Sequence, residues 1–387
     1  MVKNKYKSKV ALVRCDTYDD EAVLKAVETG IELIGGMSRF VKANERILLK
    51  PNVLIGANPE KCITTHPAVF QAVGKILQQH SAIVSYGDSS GFGSCKLNMQ
   101  RAKLKEIGDR FNFKLADFDK GKKVKHRDSL LVKSLVLANG VLESDGVVNL
   151  PKLKTHPLMR FTGAVKNMFG CIPGLLKGPY HAKLPDPYDF ASMLVDINTF
   201  IRPRLCIMDG IIAMEGNGPR NGVPRQLNVL LLSDDPVALD AVACRIIGLD
   251  PGIVPTSIQG ERAGLGTYHI ENIEIFGDEL ESFIVNDFDV IRTAPGHCST
   301  GRLRAFIKNR ICERPVITDK IKCTKCGTCV SMCPVEPKAV DWHDGDKSVP
   351  PSYNYDRCIR CFCCQENCPT GAISIKTPIL SNLLSRI

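Results

Sequence analysis

The residues best placed to do chemistry are nine cysteines between Cys323 and Cys368. Eight of them make two copies of one spacing, Cys323-x-x-Cys326-x-x-Cys329-x-x-x-Cys333-Pro334 and Cys358-x-x-Cys361-x-x-Cys364-x-x-x-Cys368-Pro369. Three thiolates at this interval wrap one face of an iron–sulfur cube, while the chain carries the fourth away to the other cube. The spacing therefore predicts two [4Fe–4S] clusters. The first takes Cys323, Cys326, Cys329 and Cys368, the second Cys358, Cys361, Cys364 and Cys333. A zinc site uses two C-x-x-C pairs and has no use for a third cysteine at the same interval or a fourth before proline. The ninth cysteine, Cys363, has no place in the scheme and reads as a bystander thiol. Cubes ligated only by cysteine carry single electrons and leave no iron open, so substrate chemistry must lie elsewhere in the chain.

The elements that position such a module come from a 387-residue chain of ordinary globular composition, 44% hydrophobic and 24% charged. Its other eight cysteines are scattered from Cys15 to Cys312 without ligand spacing and read as core residues, with Cys171 beside a basic stretch the one to watch. No run of about 18 apolar residues predicts a membrane span, and no apolar segment follows the lysine-rich start, so a cytoplasmic location is expected. The formal charge of +10 is spread along the chain. Its densest run, Lys122, Lys123, Lys125, His126 and Arg127, reads as a solvated loop. No nucleic-acid-binding signature accompanies it.

From about residue 8 to 290, short apolar runs alternate with amphipathic ones. Strands are expected at Val10–Arg14, Arg46–Leu49, Ala82–Tyr86, Gly146–Leu150, Leu205–Met208 and Leu227–Leu232. Helices are expected at Asp19–Ile34, Pro67–Gln79, Pro187–Phe200 and Pro236–Ile247, each of the last three opening on proline. This alternation predicts an open, mostly parallel α/β sheet, followed by a small α+β iron–sulfur domain. The boundaries read as 1–292 for the α/β domain, 293–316 for a linker, 317–376 for the cysteine module and 377–387 for an amphipathic tail.

In an open α/β sheet the ligand crevice lies at the carboxyl ends of the strands. Here those ends are followed by Lys50-Pro-Asn52, by Gly87-Asp88-Ser89 and by Pro151-Lys152-Leu-Lys154-Thr-His156. Lys152, Lys154, His156, Arg160 and Lys166 fall in a stretch that reads as a long basic loop, with Asn167 just beyond. Lysines supply point charge and glycines let backbone N–H groups approach, so the predicted ligand is an anionic small molecule. Lys50, Asn52, Ser89, Lys152, Lys154 and Asn167 are the candidate binding residues. His156 and His66 are the candidate proton-transfer groups, with Asp88 to orient one of them and Lys166 beside them. The P-loop and G-x-G-x-x-G fingerprints are missing. Gly216-Asn-Gly-Pro-Arg-Asn-Gly222 reads as a flexible loop or lid.

The motifs Lys50-Pro-Asn52, Thr65-His-Pro67, Gly87-Asp-Ser89, Asn149-Leu-Pro-Lys-Leu-Lys-Thr-His156, Gly163-Ala-Val-Lys-Asn-Met-Phe-Gly170 and Asp235-Pro-Val-Ala-Leu-Asp-Ala-Val242 together resemble the family of domain of unknown function 362. Members often end in a two-cluster ferredoxin, and residues 317–376 resemble that bacterial-type module. A shorter likeness, His156, Lys166 and Pro173-Gly174, is similar to the lactate racemase superfamily, where the lysine holds a nickel-pincer nucleotide. Most other catalytic residues of that superfamily lack counterparts here, so neither its cofactor nor its reaction is carried over. Any further cofactor in the α/β domain stays unspecified. Three readings stay open: an iron–sulfur oxidoreductase acting on an anion, an electron-transfer protein that docks a partner enzyme, and a racemase-like enzyme whose clusters are structural or sensing. In the first two a redox partner, a ferredoxin, flavodoxin or enzyme, is implied.

Overall fold

The computed structural model describes residues 7–296 and 308–378. The tail expected to be amphipathic, from 379 on, lies outside them. Among the described residues no helix is long and apolar enough to cross a membrane.

The strands in chain order are β1 (Ser8–Arg14), β2 (Arg46–Pro51), β3 (Ile83–Tyr86), β4 (Lys114–Leu115), β5 (Gly121–Lys125), β6 (Ser134–Ala138), β7 (Gly146–Leu150), β8 (Lys152–His156), β9 (Arg160–Thr162), β10 (Leu205–Glu215), β11 (Val223–Ser233), β12 (Ile273–Gly277), β13 (Arg314–Ile317), β14 (Val340–Asp341), β15 (Ser352–Tyr353) and β16 (Ile373–Lys376). The main sheet has ten strands in the order β12-β1-β11-β10-β7-β2-β3-β4, with β8 beside β10 and β9 beside β8. It is open and mostly parallel; the antiparallel pairs are those of β11 with β1 and β10, and of β8 with β9. Alternate residues feed opposite faces, as strand geometry requires. Ala11 and Val13 of β1 enter the core under helices Asp20–Leu33 and Pro67–Gln79, whereas Val10 and Leu12 enter the core under helix Pro236–Ile246. Both faces are covered, which explains why these strands read as continuous apolar runs.

Every expected strand and helix of the large domain is present, within a few residues except where β10 and β11 run on into a long hairpin. Three expectations need correction. The basic stretch from Lys152 is no loop but the hairpin β8–β9, because Lys-Leu-Lys-Thr-His alternates at the strand period. The run Lys122–Arg127 is mostly strand β5, paired with β6, with its lysines exposed and His126 buried against Thr199. The glycine-rich segment 216–222 is the turn of the β10–β11 hairpin, and it grips the cysteine module rather than swinging free. Asn217 donates to Ile373 O, Arg220 to Asn367 O and Asn221 to Cys368 O, while Gln365 donates back to Asn217 and Gly218.

The cysteine module opens on β13, which pairs with β16 and lies partly inside the stretch expected to be linker. Short strands Val340–Asp341 and Ile373–Lys376 follow the two cysteine runs. In the large domain, the short helix Ala164–Asn167 follows β9 and carries Lys166 and Asn167. Its start is fixed by Asp240, whose carboxylate accepts from Ala164 N–H at 2.6 Å and Val165 N–H at 3.1 Å. Losing both bonds in Asp240→Ala should cost roughly 2–4 kcal/mol. Chemical denaturation of the iron-loaded chain checks this, and a loss below about 1 kcal/mol would mean that the turn is held by something else.

Candidate functional site

The carboxyl ends of β2, β3 and β7 converge because the three strands are parallel neighbours. They open onto a cavity of about 120 Å³. On the α/β side it is lined by Asn52, Asp88, Ser89, Lys154, Lys166 and Asn167, six of the residues singled out by sequence. On the other side it is lined by Met332, Cys363, Glu366 and Asn367 of the cysteine module. The site is therefore composite.

Asn167 is the hub beneath it. Its Oδ1 accepts from Lys50 Nζ at 3.0 Å and Asn52 Nδ2 at 2.8 Å, and its Nδ2 donates to Asn149 Oδ1 at 2.7 Å. Asn52 Oδ1 accepts in turn from Lys154 Nζ at 2.7 Å. Lys50 stands behind the cavity, fully buried, with its ammonium 2.7 Å from Asp88 Oδ1. Asp88 Oδ2 takes the Val53 N–H at 2.9 Å. Gly170 is required here, because a Cβ would sit 1.8 Å from Asp88 Oδ1. Burial lowers the pKa of both Lys154 and Lys166, the former strongly.

The remaining candidates are buried elsewhere. Lys152 pairs with Asp209 at 2.8 Å and donates to Tyr18 Oη, and the His66 ring stacks on Tyr18 at 3.6 Å. His66 Nδ1 accepts from Ala68 N–H as the cap of helix Pro67–Gln79. These groups form a second polar network outside the cavity. His156 is also occupied. Its Nδ1 accepts from Leu158 and Met159 N–H, which leaves the proton on Nε2, 2.8 Å from Glu366 Oε1. Burial lowers the His156 pKa to about 4, keeping it neutral. Burial alone would raise Glu366, but His156 and Lys166 outweigh it and hold the carboxyl at about 2.

Sequence reasoning missed four lining groups: Lys177, His181, Glu366 and the bystander Cys363, which turns out to face the cavity. Glu366 left one signal, a carboxylate between the ligand cysteines Cys364 and Cys368 where cluster binding needs none. Lys177 and His181 lie past the point where the basic stretch was taken to end. Burial brings Lys177 down to about 7. Cys171, by contrast, is in the apolar core, with its thiol pushed up to about 12 by burial.

The thiols of the small module surround two further cavities. One is ringed by Cys323, Cys326, Cys329 and Cys368, the other by Cys333, Cys358, Cys361 and Cys364. These are the two crossed sets that the spacing predicts. Ala339 N–H donates to Cys333 Sγ at 3.3 Å and the Tyr353 hydroxyl to Cys364 Sγ at 3.4 Å, contacts that suit sulfurs bearing thiolate charge. Among the described residues no three His, Cys, Asp or Glu side chains are grouped so as to hold a single metal ion.

Residues 47–245 match the family described as Domain of unknown function (DUF362), and residues 322–372 match the 4Fe-4S dicluster domain. A thylakoid-associated protein of Synechocystis sp. is 38% identical over 257 residues, 66% of this chain and 79% of the relative. An uncharacterized ferredoxin of Methanocaldococcus jannaschii is 36% identical over 61 residues, 16% of this chain and 77% of its own. Among solved structures, the lactate racemase apoprotein from Thermoanaerobacterium thermosaccharolyticum aligns with a TM-score of 0.42 at 10% identity, over 62% of this chain and 57% of that one.

Lys50→Met should destabilise the chain by roughly 3–5 kcal/mol, since it leaves Asp88 buried without its cation. Lys152→Met should cost a similar amount through Asp209 while leaving the cavity lining unchanged. Denaturation curves for the two variants check this. A Lys50 variant as stable as the wild type would show that the pair under the cavity is not what holds it.

Proposed function

This chain belongs to the DUF362 family and carries a C-terminal 4Fe-4S dicluster domain with ferredoxin relatives, and on that premise we propose that it is an iron–sulfur oxidoreductase acting on a small anion in the interdomain cavity. Cys323, Cys326, Cys329 and Cys368 hold one [4Fe–4S] cluster, and Cys358, Cys361, Cys364 and Cys333 hold the second. Bound there, the clusters supply single-electron transfer; the chain's residues bind the anion, exclude water and set the route.

One observation carries this reading. The cavity wall includes Cys363, between Cys361 and Cys364 of the second site, and Glu366, between Cys364 and Cys368 of the first, so this stretch of the module is also a wall of the anion site. The first site meets the 216–222 turn on its Cys368 side and opens outward on the side of Cys326. Cys326 is exposed, and Ile321 is 98% exposed among exposed Lys320, Lys322 and Lys325. An acidic redox partner meets the chain at that end. A relay that only docked an enzyme would have no use for an enclosed, lysine-lined cavity behind its inner cluster, which favours catalysis over simple carriage.

Anaerobically prepared protein should contain about eight irons per chain. Cys363→Ser should keep that content, whereas Cys364→Ser should lose roughly half of it. Iron assay and electron paramagnetic resonance of the reduced protein check this. A wild-type content under about six irons, or iron loss in Cys363→Ser, would overturn the assignment.

A further inference from the structure

Most polar groups around the interdomain cavity already have partners. Lys154 donates to Asn52 Oδ1 and Ile63 O, Lys177 donates to Ser89 O and Ile172 O, and Ser89 Oγ accepts from Gly174 N–H. Lys166, His181 and the Thr162 hydroxyl differ, and the first two bring the nitrogen donors. The Lys166 ammonium makes no hydrogen bond or salt bridge with any described residue. His181 is only 7% exposed, and its Nδ1 is buried without a hydrogen-bond partner.

Neither group is loose. Lys166 stands on the short helix whose start Asp240 fixes. The His181 ring is stacked on Phe190 with centroids 4.3 Å apart and lies edge-on to Phe169 at 5.9 Å, so it cannot swing away to find a partner. Native structures leave few buried polar atoms unsatisfied, and each such case asks for an explanation. A ligand is the explanation that fits a cavity wall. The charge agrees: Lys50 neutralises Asp88, so Lys154, Lys166 and Lys177 face a single carboxylate, Glu366. The volume, about 120 Å³, holds roughly four waters, the scale of a small organic acid.

We propose that Lys166 and His181 together hold the anionic oxygen group of the cavity's ligand, a carboxylate or a phosphate, with the ammonium giving charge and the imidazole one N–H. Burial holds His181 down at about 4, so near neutral pH the ring is uncharged and has a single N–H to give. The proposal rests on the cavity being the anion site and adds which side chains make it one.

The test uses the full iron-loaded chain under anaerobic conditions, titrated by calorimetry with acetate, oxalate and inorganic phosphate in turn. The wild type should bind at least one. Lys166→Met and His181→Phe, the latter keeping the stacking, should each weaken that anion roughly tenfold to a hundredfold. Lys166→Arg and His181→Gln, which keep N–H donors, should recover part of the loss. Preference for acetate or oxalate assigns a carboxylate ligand, and preference for phosphate a phosphate; either supports the pair. Lys166→Met removes no hydrogen bond but does remove a cation facing Glu366, so its loss is read against Lys166→Arg, which restores that charge, and this pair decides the matter if His181→Phe loses iron. Binding in the wild type that both variants retain in full would overturn the pair while leaving the cavity as the site. Failure of the wild type, with its full iron, to bind any of the three anions would overturn both.

Discussion

Glu366 is a carboxylate buried between two predicted cluster ligands, and the rest of the structure has to accommodate it. A charge removed from water must be met by another charge or by hydrogen bonds. The groups that hold it ionised, His156, Lys166 and His181, all lie outside the cysteine module. The α/β domain meets it instead, with the His156 Nε2 at 2.8 Å and with Lys166 close by. His156 can do this because the hairpin β8–β9 turns two backbone N–H groups onto its other nitrogen and so fixes the tautomer. The two domains are thus joined through a polar contact that neither could bury alone.

The same constraint orders the sheet edge. Lys152, Lys154 and His156 alternate along β8, so they leave the strand on one face. All three are buried, and each needs its own acceptor. Asp209 of β10 takes Lys152, Asn52 after β2 takes Lys154, and Glu366 of the cysteine module takes His156. Three side chains with nearly identical sequence surroundings therefore end in three places: a buried structural network, a cavity wall and a domain boundary. Lys50 and Asp88 repeat the pattern one layer down, where Gly170 gives the carboxylate the space it needs.

This division explains what could be read in the sequence. The cysteine sets were legible because cluster ligation is written in local spacing, and the cavities ringed by the two crossed sets follow that spacing. The main sheet was legible because strands covered on both faces are unbroken apolar runs between proline-capped helices. Six of the ten proposed α/β site residues line one cavity, since strand ends do gather where the topology says they must. The other four could not be sorted, because Lys152 and Lys154 differ only in which distant acceptor lies opposite. His181 was missed for the same reason: nothing local marks a histidine whose nitrogen lacks a partner. The turn at residues 216–222 looked mobile because glycines were all that showed, whereas its asparagines and Arg220 are fixed by backbone carbonyls almost 150 residues away.

The grip of that turn also gives the small module a direction. Gln365, Asn367, Cys368 and Ile373 all belong to the second cysteine run or the strand after it, and all bond to residues 217–221. The first run has no comparable set of bonds to the sheet domain among the described residues, and Cys326 stays exposed there. The second run is thus held against the sheet domain, and the first site shares that hold, because Cys368 and Ile373 line its cavity. Cluster potentials respond to solvent exposure, nearby charge and hydrogen bonds to sulfur. The two sites differ here in one respect: Cys326 of the first ring is exposed, whereas all four thiols of the second ring are buried. The second ring is thus the more deeply buried of the two, and Met332 and Cys363, each next to one of its thiols, line the cavity.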